Sequence, residues 1–281
     1  IAGKGQRFVD ADYAMPKQLI MVGDTQMIDL SLDSIDNKDE CNLIFCIRRD
    51  HVSDYSLDTI LKHRYGNDIK IIILDKITRG SVETCLMAED YINNDDPLLI
   101  YTLDVFFEPF FDPTKIDTSV DGTILTFKSN NNGYSYAKLD DNNLVTRTAE
   151  KEVISENAAV GVYTFSKGSD FVKYAKVMID QDITTKGEFY ICPLYNLMIE
   201  NDKRITIEEV DKMHLMGTPT ELEFFLTHTL FKFGDKPIAI CADHSGFNIK
   251  NEACEVLDEL GVRYVDYGTF VDKDCDYNDY V

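Results

Sequence analysis

Three short apolar runs, each continuous rather than alternating, limit this chain to a narrow set of architectures. They occupy residues 42–47, 69–74 and 97–102. Strands of that kind are buried on both faces. Between them, the spacing of apolar residues predicts helices over residues 56–63 and 81–91. Strand–helix–strand succession predicts an α/β fold, a parallel sheet with helices on both faces. Ligands of such sheets sit at the carboxyl ends of the strands. Asp104 follows the third run and lies at such an end.

After Asp121 the pattern changes. Residues 122–127, 135–139 and 158–165 read as strands joined by turns rich in Asn, Asp and Gly. Asp140-Asp141-Asn142-Asn143 is one such turn. Helices are expected over 169–180, 190–200 and 220–231. Phe233-Gly234-Asp235-Lys236-Pro237 reads as a linker. Beyond it a strand (238–242), a helix stopped by Gly261 (247–260) and a strand (262–267) form a fresh β-α-β unit. At ~45 residues that unit is short for an independent domain. The expected organisation is therefore residues 1–232 and 236–281.

The formal charge of −22 narrows the partners. Such a chain repels polyanions, which argues against nucleic acid and anionic membranes. A small phosphorylated ligand needs only a local cluster of cations and backbone N–H groups. No apolar run approaches the ~20 residues that span a bilayer. The seven cysteines are scattered, odd in number and without a C-x-x-C pair. That argues against a disulfide framework or structural zinc and fits a reducing cytoplasm.

Such a cluster stands at the start of the chain, in Ala2-Gly3-Lys4-Gly5-Gln6-Arg7-Phe8. Two glycines one residue apart let the backbone approach a ligand, and Lys4, Arg7 and the following Pro16-Lys17 supply charge. A Gly-x-Gly loop alone is weak evidence, and an ordinary turn explains it as well. The ordered series is far more specific. It continues with Thr78-Arg79-Gly80, Asp104, Ala149-Glu150-Lys151, Gly161-Val162-Tyr163, Gly187-Glu188-Phe189-Tyr190 and Gly217-Thr218-Pro219. Over roughly residues 1–230 this series resembles the sugar-phosphate nucleotidyltransferase family, especially its capsule-biosynthesis-like members.

The resemblance implies a Rossmann-like, GT-A-like mixed sheet with an inserted antiparallel region. It implies that Ala2, Gly3, Gly5 and Arg7 contact a triphosphate and that Lys17 stabilises the transferring phosphoryl group. Thr78 and Gly80 would lie near the base or sugar of the nucleotide, and Asp104 would bind catalytic Mg²⁺. Glu150, Lys151, Gly161 and Glu188 would surround a phosphorylated small-molecule acceptor. CTP or GTP is the nucleotide slightly favoured by the capsule-type likeness, and a homo-oligomer is compatible with it. The family begins with a short strand before the glycine loop, so that strand is expected to be missing here. The chemistry suits the residue types. An acceptor phosphate is already an anion, so positioning and charge neutralisation by Mg²⁺, Lys and Arg dominate over general-base catalysis.

One position departs from the family. Many members carry a second metal-binding Asp two residues before the Gly-Thr pair, where this chain has Leu215. Asp211 and Glu188 are the candidates to replace it. Other readings compete for several residues. Glu150-Lys151 also reads as an exposed turn pair, and Asp104 as a cap. Phe189 and Tyr190 read as core, and His51, His63 and His228 as structural.

The tail carries a second resemblance. Ala239-Ile240-Cys241-Ala242-Asp243-His244-Ser245-Gly246-Phe247, Lys250, the stretch 261–269 and Asp276-Tyr277-Asn278-Asp279-Tyr280 resemble the opening of the ribose/galactose sugar-phosphate isomerase family. That resemblance would set Asp243 and His244 against a sugar phosphate. The family's thiol base and glycine-rich phosphate loop come later than Val281, so the segment is expected to be part of a two-domain fusion, the favoured reading, or else a vestige that packs against the first domain. Two alternatives to nucleotidyl transfer follow: aldose–ketose isomerisation through a fuller C-terminal domain, and a degenerate transferase that only binds a nucleotide or sugar phosphate.

Overall fold

The computed structural model describes residues 3, 5–230, 238–242, 244–259, 264–266 and 268. Ala2 and Asp243 lie outside the described residues. The chain divides into two compact units, Ile1–Pro219 and Thr220–Val281. The helix expected to close the first domain thus groups with the second.

The first unit opens with a short helix, α1 (Gln6–Val9), entered through Gly5 at φ 60°. A hairpin, β1 (Met21–Val22) and β2 (Thr25–Gln26), and α2 (Met27–Leu32) lead to β3 (Ile44–Arg48). Next come α3 (Arg49–Tyr55), α4 (Leu57–Tyr65) and β4 (Lys70–Leu74). Strands β3 and β4 pair in parallel, Ile44 opposite Lys70 through Arg48 opposite Leu74, as the strand–helix–strand spacing predicts. Phe45, Ile47, Leu57 and Leu61 fill the space between this sheet and its helix. Burying a side chain of this size contributes about 1.5–3 kcal/mol. The helical stretch begins earlier than expected, at Arg49, and Ser56 at φ 52° splits it into two.

The predicted helix over 81–91 is likewise two pieces, α5 (Ser81–Leu86) and α6 (Glu89–Ile92). Beyond it the parallel expectation gives way. Strand β5 (Leu98–Tyr101) pairs antiparallel with β10 (Asn157–Phe165), Tyr101 opposite Val162. Between them in sequence lie β6 (Val105–Glu108), β7 (Gly122–Lys128), β8 (Ser135–Leu139) and β9 (Val145–Glu150). All nine residues of β10 are buried, and the strand is the spine of a mixed six-stranded sheet. One edge pairs with β7; the other pairs with β8 at Ala158 and with β5 from Val162 onward. The change of partner coincides with a bulge between Ala159 and Tyr163, where Gly161 takes φ 100°.

Helix α7 (Gly168–Asp180) and the almost wholly apolar α8 (Ile191–Ile199) pack on this sheet. Tyr195 stacks on Phe165 with centroids 4.9 Å apart and donates to the Thr164 carbonyl at 2.7 Å. Strand β11 (Ile205–Glu209) joins β7 in parallel, and β12 (Lys212–Leu215) joins β6 antiparallel. The predicted Asp140 turn is present, with Asp140 Oδ1 accepting from the N–H groups of Asn142 and Leu144.

In the second unit α9 (Pro219–Phe225) runs on into a π-helical turn, Leu226–Leu230. Strands β13 (Ile238–Ile240) and β14 (Tyr264–Asp266) pair in parallel around the helix Phe247–Glu259, the expected β-α-β order. Lys250 is buried there and pairs with Asp266. Among the described residues no helix is long and apolar enough to cross a membrane.

Candidate active site

Lys17 is aimed by its neighbours. Gln18 and Leu19 are buried in the 3₁₀ turn that follows Pro16, so the turn directs Lys17 the other way. Its ammonium donates to Asp104 Oδ2 at 2.9 Å and to the Gly217 carbonyl at 3.3 Å. The side chains of Lys17 and Asp104 are 16% and 33% exposed, so the pair is partly shielded and open on one side. Phe8 packs beneath, its ring centroid 5.8 Å from the ammonium. A Cβ on Gly5 would lie 3.6 Å from the Lys17 Cβ, so it is the positive φ rather than crowding that favours glycine there.

Asp104 stands where β5 hands over to β6. Leu103, buried and at φ 56°, makes the corner. Thr102 Oγ1 donates to Asp104 Oδ1 at 3.0 Å, and Met216 N–H donates to the Asp104 carbonyl at 2.9 Å. Thr102 is held in turn by the Gly161 carbonyl at 3.1 Å, and a Cβ on Gly161 would come within 2.4 Å of the Thr102 hydroxyl. Gly161→Ala is therefore expected to lower the melting temperature. Each kcal/mol lost corresponds to about 2–4 °C in a chain of this size. A calorimetric scan that leaves the transition unmoved would contradict this reading of the bulge.

A second group gathers around β9. Glu150 is half-buried and accepts from Ser135 Oγ; burial pushes its carboxyl above the usual range. Lys151, at φ 58°, donates its backbone N–H to the Tyr134 carbonyl at 2.9 Å and its ammonium to Tyr190 Oη at 2.6 Å. Glu188 stands beside that hydroxyl. Burial first, then Glu188 and Glu150, hold the phenol well above its ordinary pKa. Tyr163, buried on β10, is raised chiefly by burial, with smaller contributions from the neighbouring Cys192 and Glu150.

The Thr78–Gly80 turn is stitched to the same region. Phe189 N–H donates to the Arg79 carbonyl at 2.7 Å, and Val82 N–H to the Phe189 carbonyl at 3.1 Å. Gly80 has φ 137°, and a Cβ there would lie 2.5 Å from the Phe189 carbonyl oxygen, so no other residue fits. Thr78 Oγ1 bonds to Thr84 Oγ1 and so faces α5.

Arg7 and Gly3 are exposed, and Arg7 makes no ion pair among the described residues. Asp211 must be withdrawn as a partner of Asp104. It is exposed, its N–H bonds the Glu108 carbonyl at 2.9 Å, and it sits at the far end of the β6–β12 ladder. A four-residue ladder separates its two ends by roughly 13 Å. Leu215 instead pairs with Val105 next to Asp104, so a leucine occupies the place of a second acid. Among the described residues no three His, Cys, Asp or Glu side chains converge on one point. One carboxylate beside a hydroxyl still fits Mg²⁺, which takes one or two carboxylates and fills its octahedron with water and phosphate oxygen.

Two cavities flank these groups. The larger, about 430 Å³, lies between β3 and β5, is mostly apolar, and includes neither Lys17 nor Asp104. The smaller, about 180 Å³, is bounded by Gly5, Phe8, Lys17, Arg48, His51 and Tyr55. Of the candidate site residues, Gly5 and Lys17 line the smaller one.

A family model described as nucleotidyl transferase matches residues 1–195. The chain belongs to the nucleotidyl transferase family. This nucleotidyl transferase also has the fold of two solved structures. A nucleoside-diphosphate-sugar pyrophosphorylase from Vibrio cholerae RC9 is 24% identical with a TM-score of 0.70, covering 80% of this chain and 97% of that one. An inositol-1-phosphate CTP transferase from T. maritima is 9% identical with a TM-score of 0.61, covering 78% and 88%. Residues 238–281 match a family described as ribose/galactose isomerase. Among curated proteins none matches.

Proposed function

We propose that this chain transfers a nucleoside monophosphate from a nucleoside triphosphate to a phosphorylated sugar or similar metabolite. The observation that carries the reading is the Lys17–Asp104 pair, half-open to solvent at the end of β5, with a glycine turn beside it. The two structural neighbours, named for sugar-nucleotide and CTP-dependent chemistry, support the substrate class. CTP or GTP is the proposed donor. The proposed role is capsule or other surface glycan assembly in the cytoplasm, with a homo-oligomer allowed.

In this reading Gly3, Gly5 and Arg7 hold the triphosphate, and Lys17 leaves Asp104 to neutralise charge on the α-phosphate. The acceptor's phosphate oxygen bonds to the α-phosphorus. The bond from that phosphorus to the bridging oxygen breaks, and pyrophosphate leaves with the electron pair. Asp104 would hold Mg²⁺, which when bound supplies positive charge against the phosphates. Lys151 takes the acceptor phosphate. Glu150, with one oxygen bound by Ser135, accepts from an acceptor hydroxyl. The Thr78–Gly80 turn borders the base or sugar of the nucleotide. Label tests the reading. Phosphorus-32 from the α-position is expected in the activated product and label from the γ-position in pyrophosphate. Label appearing as inorganic phosphate would overturn it.

A further inference from the structure

The sequence assigns Tyr190 to the core, but its hydroxyl lies among charges. Lys151 is fixed at three points. Its backbone is left-handed at φ 58°, a conformation uncommon for a long side chain. Its N–H is held by Tyr134. Its ammonium donates to Tyr190 Oη at 2.6 Å and lies 4.6 Å from the centroid of the same ring. The phenol stays protonated because burial and two nearby carboxylates disfavour the phenolate. A protonated phenol accepts from Lys151 through its oxygen and keeps its own O–H free to donate, with the Glu188 charge nearby. The backbone hairpin Thr185–Glu188, closed by reciprocal N–H donations at 3.0 Å, presents Glu188.

We infer that Tyr190 is a positioning residue, which holds the Lys151 ammonium in the place where the acceptor phosphate binds. This rests on the proposed transferase reading. A lysine carries several rotatable bonds and is a poor director of geometry unless something restrains it. The Tyr190 contact restrains it before the acceptor arrives, and each Lys proton not given to Tyr190 remains available to phosphate.

Two measurements test the inference. The first is the ¹⁵N–¹H signal of the Lys151 ammonium, assigned by its loss in Lys151→Arg, with inorganic phosphate as the probe. The wild type is expected to show a protected signal that phosphate shifts, and Tyr190→Phe is expected to lose the protection. Protection that persists in Tyr190→Phe, or its absence from the wild type, overturns the contact. The second is steady-state kinetics with the triphosphate and acceptor that support turnover. Tyr190→Phe should raise the acceptor KM roughly tenfold, the scale of one charge-assisted hydrogen bond, while the triphosphate KM stays put. A fall in kcat with both KM values unchanged, or equal rises in both, overturns the positioning role. A wild type that transfers nothing would defeat the transferase reading instead, and the ammonium signal would still decide the contact.

Discussion

Asp104→Asn is expected to lower kcat/KM for nucleotidyl transfer by roughly 10³-fold and to leave the fold intact. The amide is nearly isosteric and can still accept from the Thr102 hydroxyl through its oxygen. What disappears is the negative charge, and with it both the pairing with Lys17 and the carboxylate proposed for Mg²⁺. Because Leu215 occupies the neighbouring position, no second acid compensates there. The same variant separates a catalyst from a binder. A protein that only binds a nucleotide without metal keeps its affinity when Asp104 is neutralised, whereas the transferase loses turnover. Activity within threefold of wild type in a well-folded Asp104→Asn protein would remove Asp104 from the chemistry.

Lys17→Met is expected to cost roughly 10²-fold in kcat with a smaller change in triphosphate KM. Methionine keeps the aliphatic stem that packs over Phe8, so the loss reports the ammonium. The charge matters most where negative charge accumulates in the transition state, which is why kcat should suffer more than KM. Lys17→Arg is expected to recover only part of the rate. A planar guanidinium cannot reproduce a compact charge held between a carboxylate and the Gly217 carbonyl. Stopped assays at saturating substrate check both variants. A rise in KM alone, with kcat preserved, would reassign Lys17 to ground-state binding.

Much of this arrangement was legible in the sequence because it depends on local order. The apolar runs gave the strands, and Asp104 does stand where one of them ends. The ordered glycines, lysines and acids carried the family resemblance. Pairing was harder to read. A strand buried on both faces has the same hydrophobic character whether its neighbour runs parallel or antiparallel, so β5 suggested a parallel partner and found antiparallel β10. The bulge at Gly161, which lets β10 serve two partners on one edge, has no sequence mark beyond a glycine.

Side-chain direction was the other gap. Asp211 is close to Leu215 in sequence, yet an extended ladder carries it to the opposite end of β12. Tyr190 follows the buried Phe189, and sequence proximity hid the fact that its hydroxyl faces Lys151. Arg7 could be named from the glycine loop, but in the structure it is exposed and outside the Lys17–Asp104 contact. Its proposed role therefore depends on the triphosphate drawing it in.

The central claim is most directly tested by pyrophosphate release in the presence of Mg²⁺, with each common ribonucleoside triphosphate and dTTP crossed against phosphorylated sugars, polyols and small metabolites. The account predicts release that requires one triphosphate and one acceptor together, and that stops when either is omitted. Silence across the panel from folded protein, or release that needs no acceptor, would contradict it.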